Sequence, residues 1–244
     1  MVRPNYFDEP IAAIYDADCA EMFMPQVLDP TVAFLAELAG DGRALELAIG
    51  TGRVALPLRR RGVQVQGIDL SPAMVARLRA KDGADAIDVT MGDIVTTRVD
   101  GEFRLVYLVF NTISNLTTQD DQVACFVNAA AHLEPGGCFV IELGVPDLQR
   151  LAPGDRFRAF QVEPTRLGFD EYDVLAQGMI SHHYWVVDGE LRTISQPFRY
   201  AWPAELDLMA RIAGLELRER WSTWTREPFT ALSRSHVSVW QKPR

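Results

Sequence analysis

Hydrophobic positions along this chain change their spacing twice. Up to residue 40 the apolar residues recur at helical intervals, in Pro10–Tyr15 and Val32–Leu38, which predicts helices there. From Ala44 onward, short apolar runs alternate with helix-like stretches. Ala44–Ile49, Val63–Ile68, Asp88–Met91, Phe103–Phe110 and Cys138–Leu143 read as five strands. Arg53–Arg61, closed by Gly62, reads as a helix, as do Ser71–Lys81 and Gln119–His132. Ser71 stands before Pro72 as an N-cap before a first-turn proline. Strands alternating with helices predict a parallel sheet covered on both faces.

The rhythm breaks after residue 145. Pro146, Pro153, Pro164, Pro197 and Pro203 punctuate strand-like runs at Arg156–Val162, Met179–Val187 and Leu191–Tyr200. Asp188-Gly189 lies between the last two runs and signals a hairpin turn. A small antiparallel sheet inserted after the fifth strand is expected. The core pattern then resumes, with a helix over Ala204–Ala213 ended by Gly214 and strands over Leu215–Thr223 and His236–Gln241. The expected division is one domain over 1–244. Residues 1–40 form an N-terminal helical lid, 41–145 and 204–244 the core, and 146–203 a cap over the substrate.

Composition narrows the function classes. The 244 residues, 48% of them hydrophobic, suit one α/β domain with a sizeable core. A net charge of −9 repels phosphate backbones, so no nucleic-acid partner is expected. The basic cluster Arg59-Arg60-Arg61 falls at a helix C-terminus, where cations complement the dipole. No apolar run approaches the roughly 18–20 residues that span a bilayer. Met1–Tyr6 lacks the apolar region of a signal peptide, so a cytoplasmic location is expected. Cys19, Cys125 and Cys138 form no CxxC pair, which argues against disulfides and against a metal site. A homodimer is left open.

The informative stretch is Leu45-Glu46-Leu47-Ala48-Ile49-Gly50-Thr51-Gly52, a strand running into a glycine-rich turn that opens a helix. Glycines at 50 and 52 let the backbone approach a ligand closely. A second acid, Asp69, ends the strand Val65–Asp69, where a carboxylate can accept both hydroxyl hydrogens of an adenosine ribose. Two readings compete. Gly50-Thr51-Gly52-Arg53-Val54-Ala55 fits the dinucleotide pattern, which would make the chain an NAD(P)-dependent oxidoreductase. Glu46 favours the other reading. A carboxylate beside the turn repels a pyrophosphate, whereas it attracts the ammonium and sulfonium of S-adenosylmethionine.

Four segments then carry a family resemblance. Leu45–Gly52 resembles motif I of class I S-adenosylmethionine-dependent methyltransferases, and Gly67-Ile68-Asp69-Leu70-Ser71 resembles the acidic motif that follows. Met91-Gly92-Asp93-Ile94 resembles the adenine-bordering motif, and Leu133–Cys138 the turn into the fifth strand. They stand in family order at family spacing over residues 44–145. Ala48 departs from the glycine often found there. The resemblance implies a Rossmann-like methyltransferase fold: a mostly parallel seven-stranded sheet with an antiparallel last strand, helices on both faces, and the inserted cap. It also implies that Glu46, Gly50 and Gly52 hold the methionine end and Asp69 the ribose. Leu70, Met74, Asp93 and Ile94 would border the adenosine, and Ala48, Phe110 and Tyr15 would line the cofactor. The tyrosine-bearing N-terminal helix and the cap resemble, at fold level only, the glycine- and aminosugar-N-methyltransferase branch.

The expected reaction is methyl transfer to N or O of a small-molecule acceptor by in-line displacement. The acceptor should meet the carboxyl ends of the strands, beyond Phe110, at Asn111–Leu116. Tyr6, Tyr200 and Trp202 join Asn111 as candidate substrate contacts. His182 and His183 are the candidate general bases, since an imidazole titrates near neutrality. Strand alternation sends them to opposite faces, and the sequence leaves open which face lines the cleft. A non-catalytic cofactor-binding module is a further alternative.

Overall fold

The computed structural model describes residues 5–187 and 189–244. Two helices open the described chain, α1 (Glu9–Asp18) and α2 (Pro25–Ala39). The core follows as β1 (Arg43–Leu47), α3 (Ala55–Arg60), β2 (Gln64–Asp69), α4 (Pro72–Arg79), β3 (Asp88–Met91), β4 (Phe103–Leu108), α5 (Gln119–His132) and β5 (Leu133–Gly144). Four more strands come next, β6 (Phe157–Glu163), β7 (Arg166–Asp173), β8 (Gly178–Val187) and β9 (Glu190–Arg199). Helix α6 (Pro203–Ile212), β10 (Glu216–Trp221) and β11 (Ser235–Gln241) complete the fold.

The main sheet has seven strands in the order β10-β11-β5-β4-β1-β2-β3. β1 pairs in parallel with β2 and β4, β2 with β3, and β4 with β5. Only β11 runs against its neighbours, β5 and β10. Because both faces are covered, the strands alternate between two apolar layers. Leu35, Leu58, Val65 and Leu78 pack on the side of α2, α3 and α4. Leu45, Phe126, Phe139 and Leu206 pack on the side of α5 and α6. Trp240 is fully buried there, its indole N–H donating to Asp207 Oδ1 at 2.9 Å and its ring 5.2 Å from Phe126. Ser71 caps α4 as its sequence predicts, its hydroxyl accepting the Met74 N–H.

The inserted segment is a separate four-stranded antiparallel sheet, β6-β7-β8-β9. Its second strand is absent from the sequence reading, because Arg166–Asp173 carries Asp170, Glu171, Asp173 and Gly168, residues poor in strand propensity. Cross-strand pairing and packing make this strand. The expected Asp188-Gly189 turn lies partly outside the described residues, since Asp188 is not among them.

One buried polar network fastens this sheet to the core. Arg199, at the end of β9, is 5% exposed. Its guanidinium donates to Gln122 Oε1 of α5 at 2.6 Å and to Glu205 Oε1 of α6 at 2.7 Å. Burial by itself raises the Glu205 carboxyl, but donors from Arg199, Gln177 and Gln119 outweigh it and leave the net shift downward. That contribution is present above the ordinary glutamate value and is lost as pH falls through the lower folded-state value. Arg199→Met should therefore destabilise the fold by about 1–3 kcal/mol, because it removes a charge-assisted donor from the half-buried Glu205 and leaves Gln122 Oε1 without its partner. Urea unfolding at pH 7 measures this, and the deficit should shrink as pH falls below the ordinary glutamate value and through the lower folded-state one.

Candidate active site

The carboxyl ends of β1, β2 and β4 converge on one cleft, as the open α/β architecture dictates. The turn after β1 passes through three residues in the left-handed region: Ala48 (φ 57°), Gly50 (φ 56°) and Gly52 (φ 77°). The family preference for glycine at position 48 has its reason here, since an L-residue in that region costs roughly 1–2 kcal/mol. Asp69 Oδ2 accepts the Gly50 N–H at 2.6 Å, and its Oδ1 accepts the Ser71 N–H at 2.7 Å. The carboxylate thus ties the ends of β1 and β2 together and presents its remaining lone pairs to the cleft. Burial raises its pKa, and the three backbone N–H groups around it act in the opposite direction.

Asp69, Leu70 and Met74 line this cleft with Asp93, Ile94, Ala48 and Gly50, enclosing about 760 Å³ including its open mouth. Gly52 does not line it. A Cβ at Gly52 would lie 2.3 Å from Leu78 Cδ1, so this glycine makes room for α4 packing.

Deeper in, a second hollow is lined by Glu46, Arg53, Phe110 and Tyr15. Glu46 is 4% exposed and accepts the Tyr107 hydroxyl at 2.9 Å, from the residue paired with it on β4. Burial pushes the Glu46 carboxyl up to about 8, against the lowering effect of the Tyr107 hydrogen bond and the Arg53 charge. The Arg53 guanidinium lies 5.0 Å from the centre of the Phe110 ring. Sequence reasoning passed over Arg53. Its signal was position, since it is the first residue after the glycine turn and opens toward the strand ends.

Helix α1 closes one side. Thr51 donates its hydroxyl to Asp16 at 2.6 Å, and Lys81 pairs with Asp16 at 2.5 Å. Ser71 donates to the Phe7 carbonyl, and Arg77 pairs with Glu9. These contacts lay Asn5, Tyr6, Phe7 and Tyr15 along the cleft. Burial and the neighbouring Cys19 hold the Tyr15 phenol firmly protonated.

On the far wall the structure selects among the sequence candidates. Phe110 and Asn111 are both left-handed, at φ 58° and 60°. Asn111 turns away from the cleft to accept the Gly144 N–H at 2.7 Å, and Thr112, Asn115 and Leu116 line the wall instead. His182 lies on the outer face of the four-stranded sheet, bonded to the exposed Ser195 at 2.8 Å and 3.5 Å from Glu171. His183 is on the opposite face, the one that Gln196 and Arg158 tie to the core, and neither histidine lines either hollow. Burial, with the nearby Arg166 charge, lowers the His183 pKa. Tyr200 is buried, with its ring 6.0 Å from Tyr172. Trp202 stands at the start of α6, 37% exposed, and lines neither hollow.

A family model for a methyltransferase domain matches residues 44–137. The solved structure of the CcbJ methyltransferase from Streptomyces caelestis is 37% identical, with 100% of each chain covered and a TM-score of 0.88. The chain belongs to the S-adenosylmethionine-dependent methyltransferases. The cypemycin N-terminal methyltransferase of a Streptomyces species is 27% identical over 250 residues, covering 99% of this chain and 100% of that protein. An amino pentose methyltransferase from Micromonospora echinaspora, CalS10, shares the fold at 21% identity and a TM-score of 0.70, covering 99% of this chain and 100% of that one. Family membership gives the enzyme S-adenosylmethionine as its cofactor and sets aside the nicotinamide and non-catalytic readings. The residues at the turn agree with that cofactor. A buried carboxylate with a raised pKa suits a cationic ligand end, and among the described residues no basic side chain other than Arg53 lines either hollow to meet a pyrophosphate.

Gly52→Ala tests the packing role. The added methyl must displace Leu78 in a left-handed turn, for about 1–3 kcal/mol of overpacking plus backbone strain. The melting temperature should fall by several degrees. A Gly52→Ala, Leu78→Ala double variant should lose less than the sum of the two single changes, and strict additivity would point back to a ligand role.

Proposed function

We propose that this enzyme N-methylates an amine on a small-molecule acceptor, with Glu46, Arg53 and Asp69 as the principal cofactor-binding groups. The observation that carries the reading is the pairing of a fixed acid at the ribose position with a buried acid and an arginine in the hollow beside it. Asp69 would accept the ribose hydroxyls. Glu46 would face the methionine ammonium and Arg53 the methionine carboxylate. Ala48, Gly50, Leu70, Met74, Asp93, Ile94, Phe110 and Tyr15 would shape the remainder of the site.

The bound cofactor supplies an electrophilic methyl group on sulfur, whose bond to carbon breaks with the electron pair leaving on the sulfur. The side chains of this enzyme then have three tasks. Residues 1–40 act as a lid, since Phe7 and Tyr15 cover the cleft and exclude water. Residues 146–203 act as the cap that orients the acceptor. His183 takes the proton that an ammonium must lose before its nitrogen can attack. The amine assignment leans on relatives named as an aminosugar N,N-dimethyltransferase and as the cypemycin N-terminal methyltransferase. A cleft covered on one side by Asn5–Phe7 and Tyr15 suits a small acceptor better than a macromolecule. A cytoplasmic setting is part of the same reading.

Calorimetric titration with S-adenosylhomocysteine tests the site. Below about pH 8 the ligand's ammonium must drive a proton off Glu46, so affinity should rise with pH and level off above that value. Glu46→Gln should flatten the profile, and an unchanged slope would remove Glu46 from the contact. Asp69→Ala should weaken binding at least roughly tenfold, each charge-assisted hydrogen bond being worth about 1.5–3 kcal/mol. Wild-type affinity in a folded Asp69→Ala protein would overturn the ribose assignment.

A further inference from the structure

The inner face of the four-stranded sheet carries a transverse row of polar side chains, one from each strand. Arg158 of β6 pairs with Asp170 of β7, Asp170 with Ser181 of β8, and Ser181 with Gln196 of β9. Side chains directly opposite one another share a face, so the four stand in line. Both ends of the row are tied to the core. Arg158 meets Asp147, just beyond β5, at 2.6 Å. Gln196 donates to Asn115 at 3.0 Å, and Asn115 lines the cofactor cleft. The row is therefore tied to the segments that follow β4 and β5, and through Asn115 it reaches the wall of the cleft.

Asp170 sits in the middle of this bridge. Ser181 donates a hydrogen bond to it, and the Tyr172 hydroxyl approaches its Oδ2 at 3.5 Å. Both are neutral donors, and Ser181 and Tyr172 are themselves buried. Arg158, which Asp147 shares at 2.6 Å, and His183 are the cationic groups near Asp170, and they offset its burial only in part. Burial raises its pKa, the expected cost of drawing a carboxylate out of water. An ammonium brought by a ligand relieves that cost.

His183 adjoins this carboxylate. Its Nε2 lies 3.2 Å from Ser181 Oγ, and the Phe160 ring packs 5.1 Å away on its other side. Phe160 reaches that place because residue 168 is glycine, where a Cβ would stand 2.2 Å from the ring. With the Ser181 hydroxyl hydrogen given to Asp170, Nε2 of His183 must carry the hydrogen and donate it to Ser181. Nδ1 is then the proton acceptor.

Resting on the amine reading above, we propose that Asp170 is the counter-ion that receives the acceptor's ammonium on the inner face of the cap, with His183 beside it to take the proton. The acceptor class is a primary or secondary amine that enters charged. One ammonium proton passes to His183 Nδ1. The freed nitrogen lone pair then bonds to the methyl carbon as the carbon–sulfur pair leaves on sulfur. The methylated ammonium is again matched by Asp170.

The test needs no knowledge of the natural acceptor. The probes are analogues of S-adenosylhomocysteine in which nitrogen replaces sulfur and carries an aminoalkyl arm of two, four or six carbons, with methyl-tipped arms of matched length as controls. The three arm lengths sample increasing reach from the sulfur position toward the inner face of the cap. At the best arm length the wild-type protein should bind the amine-tipped probe at least tenfold more tightly than its control. Asp170→Asn, which still accepts from Ser181, should erase that preference and leave S-adenosylhomocysteine affinity unchanged. A preference that survives Asp170→Asn overturns the role of Asp170 and leaves the amine reading standing. Absence of any amine preference at every arm length overturns both. Should Asp170→Asn lose S-adenosylhomocysteine binding through misfolding, Asp170→Ser takes its place with the same two outcomes.

Discussion

The hydrogen bond from Gly50 N–H to Asp69 Oδ2 is the contact on which the cofactor half of this molecule depends. It joins the exits of two adjacent parallel strands across 19 residues of sequence. With the Ser71 N–H on its other oxygen, the Asp69 carboxylate also fixes the start of α4, and α4 brings Met74 to the cleft. A strand-end acid thus sets the curvature of the glycine turn, the place of the next helix and the exposed lone pairs at once. Alanine at position 48 survives in a left-handed conformation because this frame over-determines it.

Electrostatics around the cleft point one way. Glu46, Asp69 and Asp170 all have raised carboxyl pKa values, and burial is the largest cause in each case. Buried acids without full compensation weaken the free protein, and cationic ligands restore what is lost. The family's cofactor carries a sulfonium and an ammonium, and the proposed acceptor carries another ammonium. The arrangement trades some stability of the empty protein for discrimination in favour of positive charge. It is also consistent with a chain of net charge −9 that has no basic stripe for a nucleic acid.

The two additions to the core are held by different physics. Helix α1 is fastened by side chains at the surface, including the half-exposed Arg77–Glu9 pair, and contacts of that kind are individually weak. The four-stranded sheet is fastened by the buried Arg199 network, whose disruption is costly. Motion that admits and releases ligands is therefore easier at the helix than at the sheet. The proposed cap role asks for an inner face held fixed in this way.

Local pattern in the sequence determined much of this. The alternation of apolar strands and helices, the Ser71 cap, the Gly50 turn and the acids at 46 and 69 are all encoded within a few residues of one another, so they were legible without coordinates. Hairpin-forming runs announced the inserted sheet, except for β7, whose acidic residues disguise a strand that exists only through its partners. What the sequence left open was direction. Strand alternation separates His182 from His183 but cannot say which face meets the core, and that was decided by Gln196 reaching Asn115 and Arg158 reaching Asp147. Gly52 and Asn111 carry the composition of ligand contacts yet serve Leu78 packing and the Gly144 backbone. Arg53 shows the reverse, since its place in the inner hollow beside Phe110 arises from contacts between segments far apart in the chain. A residue's chemistry is local, whereas its neighbours across a sheet are set by how the whole chain closes, and only the tertiary structure decides that.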